Sequence, residues 1–242
     1  MAVSLLHLRD VALGYNDATT WHFEENYHFQ QGELVALVGR NGAGKSTFLR
    51  TLAKLQLPIH GHFSIQGKPL HAWSAAALAR MVSVVNTQVV RVPYLTVREL
   101  VALGRYPYTS FWGALSVEDW QRVDTIIEQL DLQRLAGKYL TACSDGERQL
   151  AMLARAVAQD APIILMDEVT AHLDFINRQR VFELLRKLCS DWQKLIFIAT
   201  HELDLATHWA DSLLLFRPPV VRKVVASEWS QSQILDLWAT PA

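Results

Sequence analysis

A glycine-rich stretch around residue 40 restricts the possible folds of this chain more than any other feature. It fits the pattern G-x-x-x-x-G-K-[ST] and follows a short apolar run, 34–38, of strand type. A helical pattern over 46–55 comes after it. Such a loop, placed between a strand and a helix, directs backbone N–H groups and the helix dipole at phosphate oxygens. The stretch therefore predicts a binding site for a nucleoside triphosphate.

Each part of this loop has a separate expected role. The ammonium group of Lys45 is suited to the β- and γ-phosphates, and the hydroxyl of Ser46 is suited to Mg²⁺. The other positions supply backbone N–H groups and the tight bend. The predicted nucleotide-binding residues are Gly39, Arg40, Asn41, Gly42, Ala43, Gly44, Lys45, Ser46 and Thr47.

Composition limits the class of protein and its partners. Half of the 242 residues are hydrophobic, 19% are charged and the net charge is −1, which favours one large globular domain, alone or with an insertion. Nucleic-acid-binding proteins usually cluster excess Lys and Arg, so we expect no nucleic-acid partner. No stretch approaches the roughly 18 apolar residues of a membrane span. Residues 1–9 are typical of a strand rather than a signal peptide, and the two cysteines match no metal or redox spacing. We expect a soluble protein in a reducing compartment.

The segments before and after the loop differ in pattern. Residues 3–9, 23–29 and 62–65 have β character and predict an antiparallel layer beside the phosphate-loop core. Residues 89–158 instead show three amphipathic helices. These begin near Thr96 with a capping box, near Ser116 and near Gly146. The sequence therefore predicts an all-helical insertion between two core strands, with a stop to its first helix at 104–108.

Several polar side chains each follow a predicted buried strand. Asp167 and Glu168 end the run 162–168, His201 directly follows the run 194–200, and Gln88 follows the strand 81–85. Strands that alternate with helices form a mainly parallel sheet, and ligands lie at the carboxyl ends of its strands. We expect Asp167 to hold Mg²⁺ and Glu168 to act on the attacking water as a general base. His201 and Gln88 lie at the same edge.

The residues at the start of the third helix carry a family resemblance. The run Cys143-Ser144-Asp145-Gly146-Glu147-Arg148-Gln149 resembles the signature motif of ATP-binding cassette (ABC) proteins. The other motifs follow in family order: Tyr15 as the adenine-stacking aromatic residue, Gly39–Thr47 as Walker A, Gln88 as the Q-loop, Ile163–Asp167 as Walker B, Glu168 as the catalytic glutamate, Ala171-His172-Leu173-Asp174 as the D-loop and His201 as the switch histidine.

This resemblance implies a fold, a reaction and a set of site residues. The fold is α/β: a RecA-like P-loop NTPase core with an N-terminal antiparallel β layer and an inserted helical subdomain. One nucleotide-binding domain would cover 1–242, with core segments 1–88 and 159–225, a helical signature subdomain 89–158 and a tail 226–242. The reaction is ATP hydrolysis with Mg²⁺ in a head-to-tail dimer.

The implied site residues fall into three groups. Those in catalysis are Glu168, His201 and Gln88; those for Mg²⁺ are Ser46, Gln88 and Asp167; and those for the nucleotide, besides the loop itself, are Tyr15, Ser144, Gly146, Glu147 and Asp174. Ser144 and Gly146 of one subunit would face the ATP held by the Walker A loop of the other. Asp145, Cys143, Val169 and His172 depart from the usual motifs without removing a reactive group.

A narrower resemblance concerns the segment after Gln88. Thr96–Pro107 is similar to the corresponding part of the ATPase subunits of importers for iron(III)-siderophores, haem and cobalamin. It implies a polytopic permease as partner, a substrate-binding protein as an indirect partner, and a cytoplasmic location on the inner face of the membrane. The permease-binding surface would lie around 92–108, where Tyr94, Tyr106 and Tyr108 offer aromatic contacts.

Two alternatives remain open at this point. A non-transport ABC ATPase, in cofactor assembly or repair, would be expected to have a basic face or a long coiled-coil insertion, and the sequence has neither. A regulatory subunit that binds ATP without hydrolysing it would be expected to lack Lys45, Glu168 or His201, and all three are present.

Overall fold

A mixed β-sheet forms the centre of the fold. The computed structural model describes residues 4–14, 20–86, 92–109, 113–171 and 173–239. Within these ranges eleven strands join one sheet. They are β1 (Leu6–Gly14), β2 (Thr20–Phe23), β3 (Tyr27–Phe29), β4 (Leu34–Gly39), β5 (His60–Ile65), β6 (Lys68–Pro69), β7 (Val82–Val85), β8 (Ile163–Asp167), β9 (Leu195–Ala199), β10 (Ser212–Arg217) and β11 (Val220–Val225).

The sheet has a parallel part and an antiparallel part. Its order is β6-β5-β1-β2-β11-β10-β4-β9-β8-β7, and β3 also pairs with β1. Strands β10, β4, β9, β8 and β7 run parallel to one another, whereas β10 pairs in antiparallel fashion with β11, and β1 does so with β2, β3 and β5. The two parts join where β2 lies parallel to β11. The predicted antiparallel layer is thus a continuation of the core sheet.

Eight α-helices lie in the described ranges. Thr96, Ser116 and Ser144 each close a capping box at the start of a helix, because hydroxyl and carboxylate side chains there pair with otherwise unbonded N–H groups. The helices are α1 (Lys45–Leu52), α2 (Ala75–Leu78), α3 (Val97–Ala102), α4 (Val117–Gln129), α5 (Asp145–Ala158), α6 (Phe175–Trp192), α7 (Leu203–Trp209) and α8 (Gln231–Ala239).

Each face of the sheet has its own hydrophobic cluster, and β4 contributes to both. Leu34, Ala36 and Val38 point to the face that α3, α4, α5 and α6 cover. Val35 and Leu37 point to the face that packs on α1. Successive side chains of a strand face opposite ways, so an uninterrupted apolar run is buried on both sides. This arrangement fixes β4 in the centre and places the loop after it at the carboxyl edge.

Helix α1 lies between the parallel and antiparallel parts of the sheet. The ring of Phe48 packs on Phe197 of β9 and Phe216 of β10, with ring centroids 5.6 and 6.2 Å away. It also packs on Phe23 of β2 and Phe63 of β5, at 5.6 and 6.2 Å. Burial of such rings is strongly stabilising. The cluster therefore holds the start of α1, and with it the phosphate loop, in place.

The structure corrects two of the predicted boundaries. The first strand runs over Leu6–Gly14 rather than 3–9, and the β region 23–29 is two strands, Thr20–Phe23 and Tyr27–Phe29. Helix α3 ends at Ala102, close to the predicted stop, and 3₁₀ turns follow over Leu103–Tyr108. Helix α6 begins directly after its cap, Asp174. Tertiary contacts and the Asp174 cap decide these ends, which sequence periodicity leaves open. Among the described residues, no helix has the length and apolarity needed to cross a membrane.

Candidate nucleotide site

The phosphate loop joins the end of β4 to the start of α1. Arg40, Asn41 and Gly42 are exposed, whereas Ala43, Gly44, Lys45 and Thr47 are buried. The Nζ of Lys45 donates to the carbonyl oxygens of Gly39 at 2.8 Å and Arg40 at 3.3 Å. Burial lowers the pKa of Lys45, and the nearby carboxylates of Glu168 and Asp167 oppose this effect. The ammonium group is thus held inside the loop, where the negative charge of a polyphosphate would offset the cost of its burial.

Two of the loop glycines are required by close contacts. A Cβ at Gly39 would lie 2.8 Å from the carbonyl oxygen of Phe216, and Gly44 has a φ of +98°. A Cβ at Gly44 would also lie 2.8 Å from the indole ring of Trp21. Only glycine combines such a backbone angle with such an approach. Trp21 therefore supports the loop from β2, a contact that motif spacing did not indicate.

Ser46 and Asp167 are brought together from positions far apart in the sequence. The Oγ of Ser46 donates to Oδ1 of Asp167 at 3.0 Å. Ser46 lies in the first turn of α1 and Asp167 is the last residue of β8, so the two meet at the carboxyl edge of the sheet. Both offer oxygen atoms, which are the ligands that Mg²⁺ prefers.

Glu168 and His201 form the second contact at this edge. His201 Nε2 lies 2.8 Å from Glu168 Oε1, and their side chains are 43% and 39% exposed. Glu168 has a φ of +52°, a left-handed conformation unusual for a non-glycine residue. Its backbone N–H donates to the carbonyl oxygen of Ala199 on β9 at 3.1 Å. This turn directs the Asp167 and Glu168 side chains to different partners.

The signature turn caps the start of α5. Ser144 Oγ accepts from the N–H of Glu147 at 3.2 Å, and Glu147 Oε2 accepts from the N–H of Ser144 at 2.7 Å. Glu147 also accepts from Lys138 Nζ at 2.7 Å, and this bond lowers the pKa of the Glu147 carboxyl. In this chain the Glu147 carboxylate therefore braces the turn, while Ser144 is exposed.

Asp145, which departs from the usual motif, has a partner. Its Oδ1 accepts from Arg148 Nη2, and Arg148 Nη1 donates to the carbonyl oxygen of Cys143 at 2.7 Å. The guanidinium group lies beside the extra carboxylate and offsets its charge. Sequence reasoning gave no sign of this pairing, although the i,i+3 spacing on one helix permits it.

Asp174 and Gly146 meet through the first turn of α6. Asp174 caps this helix by accepting from the N–H of Asn177 at 2.8 Å. The side chain of Asn177 lies 3.3 Å from the place that a Cβ on Gly146 would take. The structure thus brings the signature turn and the segment after Glu168 together. The predicted residues Tyr15, Gln88 and His172 lie outside the described residues.

The chain has clear relatives among known proteins. The family model described as "ABC transporter" matches residues 24–171. The achromobactin transport ATP-binding protein CbrD of Dickeya dadantii is 33% identical, over 94% of this chain and 83% of its own. The cobalamin import ATP-binding protein BtuD of Halobacterium salinarum is 38% identical over 77% of this chain but only 46% of its own.

Solved structures share the fold. A dimeric ATP-binding cassette in a post-hydrolysis state, bound to ADP and phosphate, aligns with a TM-score of 0.73. It is 25% identical, and the alignment covers 91% of this chain and 98% of that one. The sequence and structure comparisons therefore agree, since both relate this chain to the ATP-binding proteins of ABC transporters.

Proposed function

Because the chain belongs to the ABC transporter family and is one of its ATPases, we propose that it drives a binding-protein-dependent importer. The proposed cargo is an iron chelate, either a siderophore or haem, or cobalamin. Three contacts at one edge of the sheet are the observation that supports hydrolysis best. They join Lys45 to the carbonyl oxygen of Gly39, Ser46 to Asp167, and Glu168 to His201. The names of the two relatives, one for achromobactin transport and one for cobalamin import, support the cargo class.

The oxygens of Ser46 and Asp167 would hold Mg²⁺ beside the nucleotide. They already lie 3.0 Å apart and are of the hard type that this ion requires. Gln88 is proposed as a further ligand. When bound, Mg²⁺ neutralises charge on the β- and γ-phosphates. Lys45 would add its positive charge to the same phosphates, in exchange for its present bonds to loop carbonyls.

Glu168 would act as the base for the attacking water. Its carboxylate is partly exposed, and Oε1 is bonded to His201, so one carboxylate oxygen stays available for water. The contact with His201 fixes the position of this carboxylate, and the His201 ring lies at the same edge of the sheet. Gln88 is proposed as the third catalytic residue.

The complete site would need a second copy of the chain. Ser144 is exposed, and its hydrogen bonds to described residues stay within the signature turn. We infer that Ser144, Gly146 and Glu147, which stabilises the signature turn, face the nucleotide of a partner subunit in a head-to-tail dimer. Asp174 would lie at the same interface. Tyr15 would stack on adenine. The dimeric relative with ADP and phosphate supports this arrangement. The helical part, 89–158, would form the signature subdomain that moves as the dimer closes.

The proposed permease surface lies on the segment 92–108, on the inner face of the membrane. Tyr94 is 81% exposed and Tyr106 is 53% exposed. Tyr108 differs: its hydroxyl donates to the carbonyl oxygen of Gln159 at 3.1 Å, and Arg105 lies over its ring at 4.1 Å. Arg105 also pairs with Asp119 at 2.9 Å, with both side chains about nine-tenths buried. Tyr108 and Arg105 are therefore structural, which leaves Tyr94 and Tyr106 for the partner.

A variant carrying Tyr94→Asn and Tyr106→Ser should lose coupling to the permease. We expect the ATPase rate of the isolated chain to stay within about twofold of wild type, because neither ring contacts the site, while uptake driven by the complex falls about tenfold or more. Asparagine tolerates the φ of +63° at Tyr94. Val225→Ser, at another exposed apolar residue, is the control. Normal uptake by the tyrosine variant would place the permease elsewhere.

The function itself is tested by uptake. Cells in which the gene encodes Glu168→Gln should fail to take up one of three labelled compounds: an iron(III)-siderophore, haem or cobalamin. The compound lost identifies the cargo. If all three enter normally while the purified wild-type chain hydrolyses ATP, the importer proposal is wrong and a non-transport ABC ATPase takes its place.

A further inference from the structure

An ion pair connects α6 to the loop that carries His201. Arg178, one turn into α6, donates from Nη1 to Oε1 of Glu202. The two side chains are only 29% and 24% exposed. Arg178 Nε is buried and finds no acceptor among the described residues, so Glu202 is the main anchor of this guanidinium group. A partly buried, charge-assisted hydrogen bond of this kind has a narrower geometry than a surface pair.

Glu202 is fixed on its backbone side as well. Its N–H donates to Oγ1 of the buried Thr200 at 3.0 Å, and its carbonyl oxygen accepts from Ala206 in the first turns of α7. His201 therefore lies between two residues whose positions are set by other parts of the fold. Any displacement of Glu202 rotates the backbone of His201, and the 2.8 Å contact between His201 and Glu168 depends on that backbone.

Helix α6 leads from this ion pair to the protein surface. It is a single 18-residue helix, about 27 Å long. Asp174 caps its start, and Phe175 and Ile176 in its first turn are 60% and 77% exposed. A helix moves as a rigid element, so a shift of this exposed end by a contacting surface moves Arg178 along with it.

We propose that Arg178 and Glu202 are positioning residues. Through their ion pair, a movement of the exposed first turn of α6 displaces the loop that carries His201 and so changes the contact between His201 and Glu168. The proposal rests on the proposed role of Glu168 and His201 in hydrolysis. Among the described residues, neither Arg178 nor Glu202 forms a hydrogen bond to the phosphate loop, so both act through His201. Occupation of the α6 surface by a partner subunit would then align the two catalytic side chains.

Charge exchange tests this link. Arg178→Glu and Glu202→Arg should each lower kcat for ATP about tenfold, as expected when one charged hydrogen bond is lost. The KM for ATP should stay within about twofold, since the phosphate loop is untouched. The double variant Arg178→Glu/Glu202→Arg restores the opposite charges and should recover most of kcat. Arg178→Gln and Glu202→Gln, which avoid placing like charges together, should show smaller losses of the same type.

A matched control is available on the same helix. Arg186 of α6 pairs with Asp211 beyond α7 at 2.6 Å, and this ion pair involves none of the residues around His201. Arg186→Glu should leave kcat unchanged, and melting temperatures should be compared across the set. Wild-type kcat in the Arg178 and Glu202 variants would overturn the proposal. So would a tenfold loss in Arg186→Glu, or a double variant no faster than the single ones. Failure of the importer proposal would appear separately, in the uptake of labelled compounds.

Discussion

Replacement of Glu168 by glutamine should slow ATP hydrolysis about a hundredfold or more, within the range that one general base contributes. The amide has the shape of the carboxylate and can keep the 2.8 Å contact with His201, so the left-handed turn at Glu168 and the bond to Ala199 should persist. What is lost is the ability to accept a proton from water. ATP binding should stay near wild type, and the dimer should accumulate in its ATP-bound form.

Single-turnover hydrolysis, nucleotide titration and size exclusion together measure these effects. Glu183→Gln, at an exposed carboxylate of α6, is the control and should match wild type in all three. Hydrolysis by Glu168→Gln at the wild-type rate would show that another group acts as the base. Loss of ATP binding in this variant would mean that Glu168 has a role in the shape of the site rather than in catalysis.

Replacement of Lys45 by alanine should weaken ATP binding about a hundredfold, the upper range for loss of one charge-assisted hydrogen bond. Lys45 is 5% exposed and is held by the carbonyl oxygens of Gly39 and Arg40. The variant removes the phosphate partner and also removes the Lys45 donor from both carbonyl oxygens, although that of Arg40 still accepts from the N–H of Ala43 at 3.1 Å. Hydrolysis at low ATP concentration should fall in proportion to binding.

Lys54→Ala separates these two effects. Lys54 also donates to two backbone carbonyl oxygens, those of His71 at 3.0 Å and Trp73 at 2.6 Å, but it lies after the far end of α1. We expect a similar small change in melting temperature for the two variants, and a loss of nucleotide affinity for Lys45→Ala alone. Equal affinities for ATP in wild type and Lys45→Ala, measured by calorimetry, would contradict the role of Lys45.

The sequence was sufficient for the fold class and the family because both depend on local patterns. The apolar run 34–38 predicts a strand, which the structure confirms and shows to be buried on both faces. The loop that follows is confirmed between β4 and α1. The three helices with predicted starts near Thr96, Ser116 and Gly146 are also present, since a capping residue and periodicity act within a few residues. The individual roles in the site remain predictions.

The sequence alone therefore determined that the phosphate loop with Ser46, the pair Asp167 and Glu168, and His201 each lie at the end of a buried strand, and hence that they share one sheet edge. The tertiary structure decided which of them touch: Ser46 with Asp167, and Glu168 with His201. It also decided the contacts of Trp21 with Gly44, Asp145 with Arg148, and Arg178 with Glu202. Apart from the i,i+3 pair, these join segments far apart in the chain. Their geometry depends on packing between elements, and no local sequence pattern encodes that packing.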